Sequence, residues 1–222
     1  MLDFVPDRVI SYPYTGAKFM LNTTKSKDIA YIGIFSALVI VLQSLAEITR
    51  MLGLPMSLAL GLIPVLIAGQ LRGLKVGAVV GGVFGLVSLV LAVIYVASLP
   101  NSYAKVIINP LVSVFPRIMV GVVSALVYKA FTRKGEKSRA KRYIFSAISA
   151  LCGVVTNTVL FLGMYMAFAY GKTFEDATIN FAWILAAVVA INTLIEAVCF
   201  PLISGGVVSA VESKSKKAGD VE

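Results

Sequence analysis

The chain has 222 residues, of which 59% are hydrophobic and 14% charged, and its formal net charge is +9. This composition lies outside that of soluble globular domains and indicates a polytopic membrane protein with room for about six spans. Histidine is absent, which excludes histidine-based acid–base catalysis, histidine metal sites and Ser-His triads. We therefore expect no enzyme, no metal and no cofactor, and we assign the positive charge to membrane loops rather than to nucleic-acid binding.

Residues 1–28 precede the first apolar segment and are polar, without a periodic pattern and without the apolar region of a signal peptide. Two interpretations stay open for them. They form a cytoplasmic arm that is disordered, or the protein starts at Met20 and residues 1–19 do not belong to it.

Six membrane helices follow, and their order predicts an all-α bundle that occupies residues 29–210, with a polar tail at 211–222. We place the helices at about 29–46, 54–71, 74–98, 103–130, 143–170 and 180–210. Basic residues concentrate in the N-terminal arm, the turn after helix 2, the 132–142 loop and the tail. The positive-inside bias therefore predicts that both termini are cytoplasmic.

Small residues recur one turn apart on two helices. Gly33 and Ala37 give helix 1 a flat face, which suits packing inside the bundle or docking of a partner helix. Helix 3 carries a longer glycine ridge, which we expect to pack against a long neighbouring helix of the same bundle: Gly73, Gly77, Gly81 and Gly85.

Helix 4 contains the least lipid-compatible segment of the chain. Arg117 lies inside an apolar run, where a charged side chain is costly and needs a partner or a function. Pro110 and Pro116 interrupt the helix and free backbone carbonyls that lipid cannot satisfy. We therefore expect this segment to face protein or a solute cavity.

Polar side chains of the last three helices fall at two depths, counted at about 1.5 Å per residue. Near the middle of the membrane we place Arg117, Asn157, Asn192 and Glu196. Nearer the outer surface we place Asn109, Tyr165, Asn180 and Trp183. Two compatible interpretations follow: a structural ion pair between Arg117 and Glu196, or the floor of a solute pocket that opens outward.

Three segments occur in a fixed order: Asn109-Pro-Leu-Val-Ser-Val-Phe-Pro-Arg-Ile-Met-Val-Gly121, Gly153-Val-Val-Thr-Asn-Thr-Val-Leu-Phe-Leu-Gly-Met-Tyr165 and Asn192-Thr-Leu-Ile-Glu-Ala197. Together with Leu62-Ile-Pro-Val-Leu-Ile-Ala-Gly69 and Gly81-Gly-Val-Phe-Gly-Leu86, they resemble the substrate-binding S components of energy-coupling factor (ECF) vitamin transporters. The resemblance covers residues 29–210.

This resemblance implies a protein of the prokaryotic cell membrane that binds a vitamin from outside and delivers it with a transmembrane coupling protein and two ATPases. It also implies that Gly33 and Ala37 belong to the docking face for the coupling protein. We expect the eight polar and aromatic residues placed at the two depths above to bind the substrate. The Asn-Pro…Pro-Arg pattern is most similar to pantothenate-type members, and an arginine with several amides suits such a small anion.

Two other functions stay open on the residues alone. A self-sufficient secondary carrier would use Glu196 for proton coupling, and a non-transport scaffold would use the polar cluster for architecture only. ATP hydrolysis by this chain is excluded, because it has no Gly-x-x-x-x-Gly-Lys-Ser/Thr segment.

Overall fold

The computed structural model describes residues 16–51, 59–98, 100, 103–133, 138–174, 177–178, 182 and 191–219. The helices there are α1 (Gly16–Met51), α2 (Leu62–Arg72), α3 (Leu74–Ser98), α4 (Pro110–Ser113), α5 (Phe115–Thr132), α6 (Arg139–Ala169) and α7 (Ile191–Gly219). A 3₁₀ turn spans Tyr103–Val106, and two short antiparallel strands pair Thr173–Phe174 with Ala177–Thr178. Among the described residues, five spans are long and apolar enough to cross a membrane, which confirms the predicted helical membrane bundle.

The first helix is longer than the sequence predicted. α1 begins at Gly16, so residues 16–28 are helical and do not form an irregular arm, while residues 1–15 lie outside the described part of the chain. The prediction that the first helix begins at residue 29 was wrong, because it followed hydropathy. Hydropathy marks only the part of a helix that lipid can accept, and a polar extension beyond it is invisible to that signal.

Helices 2 and 4 also differ from their predicted ranges. α2 begins at Leu62 rather than near 54, and residues 52–58 are not described. The predicted fourth helix is a 3₁₀ turn followed by α4 and α5, which meet at Val114. The break falls between Pro110 and Pro116, as expected from rings that cannot donate a helical hydrogen bond.

α2 forms the centre of the bundle. It contacts α1, α3, α5, α6 and α7, and Val65, Leu66 and Ala68 are fully buried. Eight of its eleven residues are buried, including Gln70, whose amide needs hydrogen-bond partners that neighbouring helices can supply and lipid cannot. With only 11 residues, α2 is shorter than a span, which fits its enclosed position.

The glycine ridge of α3 packs against α5, which confirms the predicted packing inside the bundle for three of its four members. A Cβ on Gly77 would lie 2.7 Å from the carbonyl oxygen of Gly121, and a Cβ on Gly85 would lie 2.5 Å from the Cα of Val114. A Cβ on Gly81 would overlap the carbonyl oxygen of Arg117. Gly73 is different, because it ends α2 at φ 83° and a Cβ there would meet nothing within 4 Å.

The two ends of the bundle are named as follows. The basic end contains the C-terminus of α5 and the N-terminus of α6. The site end contains the N-terminus of α4 and the C-terminus of α6. Ion pairs join helices at the basic end. Arg72 Nε donates to Asp28 Oδ1 at 2.8 Å, which ties the end of α2 to α1. Arg142 and Glu212 pair at 3.7 Å and join α6 to α7.

A buried polar cluster, which sequence analysis missed, lies between the basic end and the centre. Gln70 of α2 donates through Nε2 to Ser124 Oγ at 3.1 Å and to the Ser146 carbonyl oxygen at 3.2 Å. Its Oε1 accepts from the hydroxyls of Ser146 and Ser204. One amide thus connects α2 to α5, α6 and α7. We call this set the Gln70 cluster.

Candidate functional site

The site is built where the fourth span breaks. Asn109 Oδ1 accepts from Leu111 N at 3.0 Å and caps α4, with Pro110 in the first helical position. Val114 N donates to the Pro110 oxygen at 2.8 Å, and α5 starts afresh at Phe115. Arg117 therefore lies in the first turn of α5, about 10 Å from the start of the span. Asn109 acts here as a helix cap, a role that the sequence analysis did not assign.

Two aromatic rings hold the Arg117 side chain. Its guanidinium carbon lies 4.5 Å from the ring centroid of Phe161 on α6 and 5.7 Å from that of Phe84 on α3. Its Nη1 donates to the Val112 carbonyl oxygen at 3.1 Å. The side chain is 7% exposed. Cation–π contacts of this kind stabilise a desolvated guanidinium and fix its plane, so Arg117 presents a defined edge.

Three buried polar atoms of this region are candidates for contact with a ligand, although atoms of the same kind also occur elsewhere, at Ser36 and Ser149. Arg117 Nε, Asn157 Oδ1 and Ser113 Oγ are buried and have no hydrogen-bond partner among the described residues. Asn157 lies one helical turn before Phe161 on α6, and Ser113 one turn before Arg117, so all three belong to the same neighbourhood. Buried polar groups in folded proteins usually have hydrogen-bond partners, so these three atoms are the ones that a bound ligand could contact.

Glu196 does not form the direct ion pair with Arg117 that their matched depths suggested. Its Oε1 accepts from Ala59 N at 2.7 Å, just before α2, and no oxygen of Glu196 lies within 4.0 Å of an Arg117 nitrogen. The two charges attract each other only across a longer gap. The depth argument was incomplete because it places residues along the membrane normal and says nothing about the helix face.

The residues predicted nearer the outer surface, apart from Asn109, fall into two groups. Tyr165 of α6 is buried, with 3% exposure, and its ring centroid lies 6.0 Å from that of Phe161. It belongs to a small apolar cluster with Val106, Val112 and Ala169. The other group, Asn180 and Trp183, lies outside the described part of the chain. The same holds for the side chain of Asn192, which was predicted near the middle of the membrane. The structure therefore brings Arg117, Asn157 and Tyr165 to one side of α6.

Sequence analysis missed Phe84, Phe161 and Ser113. Phe161 had a usable signal, because it falls between Asn157 and Tyr165 at spacings of four residues, which puts all three on one helix face. Phe84 had none, since it is one apolar residue among many in α3. Within the described ranges, no group of three or more His, Cys, Asp or Glu could hold a metal ion. The site chemistry is that of one fixed cation, one amide and an aromatic wall.

Comparison with known proteins gives two matches. A family model described as "ECF transporter, substrate-specific component" matches residues 27–208, a range that includes every candidate site residue. The chain is also similar to a protein named "Pantothenic acid transporter PanT" from Lactococcus lactis subsp. cremoris (strain MG1363). The two are 28% identical over 204 residues, which cover 86% of this chain and 96% of that protein.

Proposed function

Because the chain belongs to the family of substrate-specific components of ECF transporters, we propose that it binds pantothenate at the Arg117 site and hands it on for ATP-driven import. The observation that supports this ligand is that the Arg117 guanidinium lies between two aromatic rings and its Nε has no hydrogen-bond partner in the described part of the chain. The name of the similar Lactococcus protein, a pantothenic acid transporter, supports the same substrate. Pantothenate is a small anion with an amide and two hydroxyls, and it suits a site of one arginine and one asparagine.

The site end faces the outside of the cell in this proposal. The turn between α5 and α6 exposes Arg133, Arg139 and Lys141, and Lys75 is exposed at the start of α3. Positively charged loops stay preferentially in the cytoplasm, so the basic end is cytoplasmic. Arg117 then lies in the outer part of the membrane, where a vitamin arriving from the medium reaches it.

Energy for import comes from partner subunits, because this chain has no nucleotide-binding motif. We propose a transmembrane coupling protein and two ATPases as these partners, in line with the family. The α1 face around Gly33 and Ala37 is the proposed contact with the coupling protein. Both residues are exposed, and a Cβ on Gly33 would meet nothing within 4 Å. The span of α1 is also only 17% buried, against 50% for the span containing Arg117.

Titration of the detergent-purified chain with pantothenate tests the substrate, using calorimetry and the fluorescence of the single tryptophan. We expect saturable 1:1 binding without ATP. Biotin, riboflavin and thiamine serve as comparison ligands. Binding of one of these in place of pantothenate would contradict the substrate assignment and leave the family intact.

Replacement of Gly33 by leucine tests the docking face. The expected result is loss of pantothenate uptake in cells with ligand binding by the purified chain retained, because the added bulk obstructs a helix contact and leaves the site unchanged. Gly163→Leu on α6 is the matched control, since a Cβ there also meets nothing within 4 Å. Normal uptake by the Gly33 variant, or equal loss in both variants, would contradict the assignment.

A further inference from the structure

We propose that the site recognises its ligand at two points of opposite polarity: Arg117 Nε binds the ligand's carboxylate, and Asn157 Oδ1 accepts a hydrogen bond from its amide or hydroxyl group. The inference rests on the proposed function and adds which protein atom recognises which part of the ligand. It also assigns the ligand's carboxylate to Arg117 alone, without a direct ion pair between Arg117 and Glu196.

The unpartnered edge of Arg117 determines the first point. A guanidinium has two forks that fit a carboxylate side-on, and one of them joins Nε to an Nη. Here Nη1 already donates to the Val112 oxygen at 3.1 Å, whereas Nε has no partner. Phe161 and Phe84 lie against the guanidinium and fix its plane. The remaining fork is thus held ready for an anion.

The oxygen of Asn157 determines the second point. Oδ1 accepts hydrogen bonds and cannot donate them, so the group that satisfies it must carry a proton. An anion alone would satisfy Arg117 and leave Asn157 unpaired. A ligand that has a carboxylate at one end and an N–H or O–H farther along satisfies both residues at once.

The position of Glu196 completes the argument. A second carboxylate on Arg117 would leave no place for an anionic ligand, yet Glu196 is not within 4.0 Å of that side chain. The Ala59 N–H, at 2.7 Å from Oε1, holds the carboxylate at the start of α2. Glu196 therefore does not occupy Arg117, and a ligand carboxylate would not compete with it for direct contact.

The test compares pantothenate with pantothenol, in which a CH₂OH group replaces the carboxylate and the amide and hydroxyls are unchanged. The wild-type chain is expected to prefer pantothenate by about 30-fold, the range of a charge-assisted hydrogen bond. Arg117→Gln is expected to lower this preference to about threefold or less. Asn157→Leu is expected to weaken both ligands by about tenfold and to leave the preference intact.

Each other outcome overturns the inference. A preference that survives in Arg117→Gln means that the carboxylate binds elsewhere, and unchanged affinities in Asn157→Leu mean that its oxygen does not contact the ligand. If either variant fails to fold, a ligand series on the wild type decides. Pantothenate that is methylated on the amide nitrogen or stripped of both hydroxyls must bind more weakly, and equal binding of all forms refutes the second point. A wild type that binds neither pantothenate nor pantothenol but takes another vitamin refutes the proposed function instead.

Discussion

Replacement of Gln70 by leucine removes the centre of the Gln70 cluster and is expected to destabilise the bundle by about 2 kcal/mol. Four side-chain hydrogen bonds depend on the amide: two that it donates, to Ser124 and Ser146, and two that it accepts, from Ser146 and Ser204. Hydrogen bonds between membrane helices average about 0.6 kcal/mol each. Leucine has a similar volume, so most of the change comes from lost hydrogen bonds and little from a cavity.

The measurement is reversible unfolding in mixed micelles as the fraction of denaturing detergent increases. A loss of about 2 kcal/mol lowers the folded-to-unfolded ratio by about 30-fold, which such a titration resolves. Gln43→Leu is the matched control. It removes the same side chain from α1, where Gln43 accepts one long hydrogen bond from Gly61 N at 3.4 Å. We expect that control to change the stability by about 0.5 kcal/mol or less.

A Gln70→Leu variant within about 0.5 kcal/mol of the wild type would refute this reasoning. It would mean that apolar packing around α2 replaces the four hydrogen bonds at no cost. An equal loss in Gln70→Leu and Gln43→Leu would also refute it, because the number of hydrogen bonds would then not determine the effect.

Three further predictions concern topology, packing and the carboxylate. In a background without the two native cysteines, cysteine at Thr173 should react with an impermeant thiol reagent in intact cells and cysteine at Ser138 should not; the reverse pattern would invert the proposed orientation. Gly81→Ala should lower the melting temperature by several degrees, because its Cβ overlaps a carbonyl of α5. Gly82→Ala is the control and should be nearly neutral, since its Cβ would lie 3.8 Å from the Ile118 side chain. Equal melting temperatures of the two variants would contradict the close α3–α5 approach. Glu196→Gln should keep the stability of the protein, because the amide oxygen still accepts from Ala59 N. Glu196→Leu should lower the free energy of unfolding by about 1–3 kcal/mol. Equal stability of the two variants in detergent unfolding would mean that this hydrogen bond contributes nothing.

The candidate site was partly predictable. Arg117 stood out because a cation in an apolar run needs a reason, and Asn157 and Tyr165 stood out as polar groups at matched depth on the next helix. Asn109 was selected as a substrate-binding residue, which stays a prediction, and its side chain also caps α4, which the sequence did not predict. The predicted direct contact between Arg117 and Glu196 was wrong. Depth fixes only the position along the membrane normal, whereas the helix face decides which residue a side chain contacts, and here Glu196 contacts Ala59.

By itself, the sequence determined the class of the protein and its family. It predicted six helices of membrane length, whereas the described residues contain five such spans and the shorter α2. Hydropathy fixes which segments tolerate lipid, and proline fixes where the fourth span breaks, so both are local properties of the chain. Only the tertiary structure decided what surrounds each polar group: that Phe84 and Phe161 hold Arg117, and that one amide of α2 joins three other helices. These contacts join residues far apart in the chain, and the relative rotation of packed helices, which no local pattern encodes, determines them.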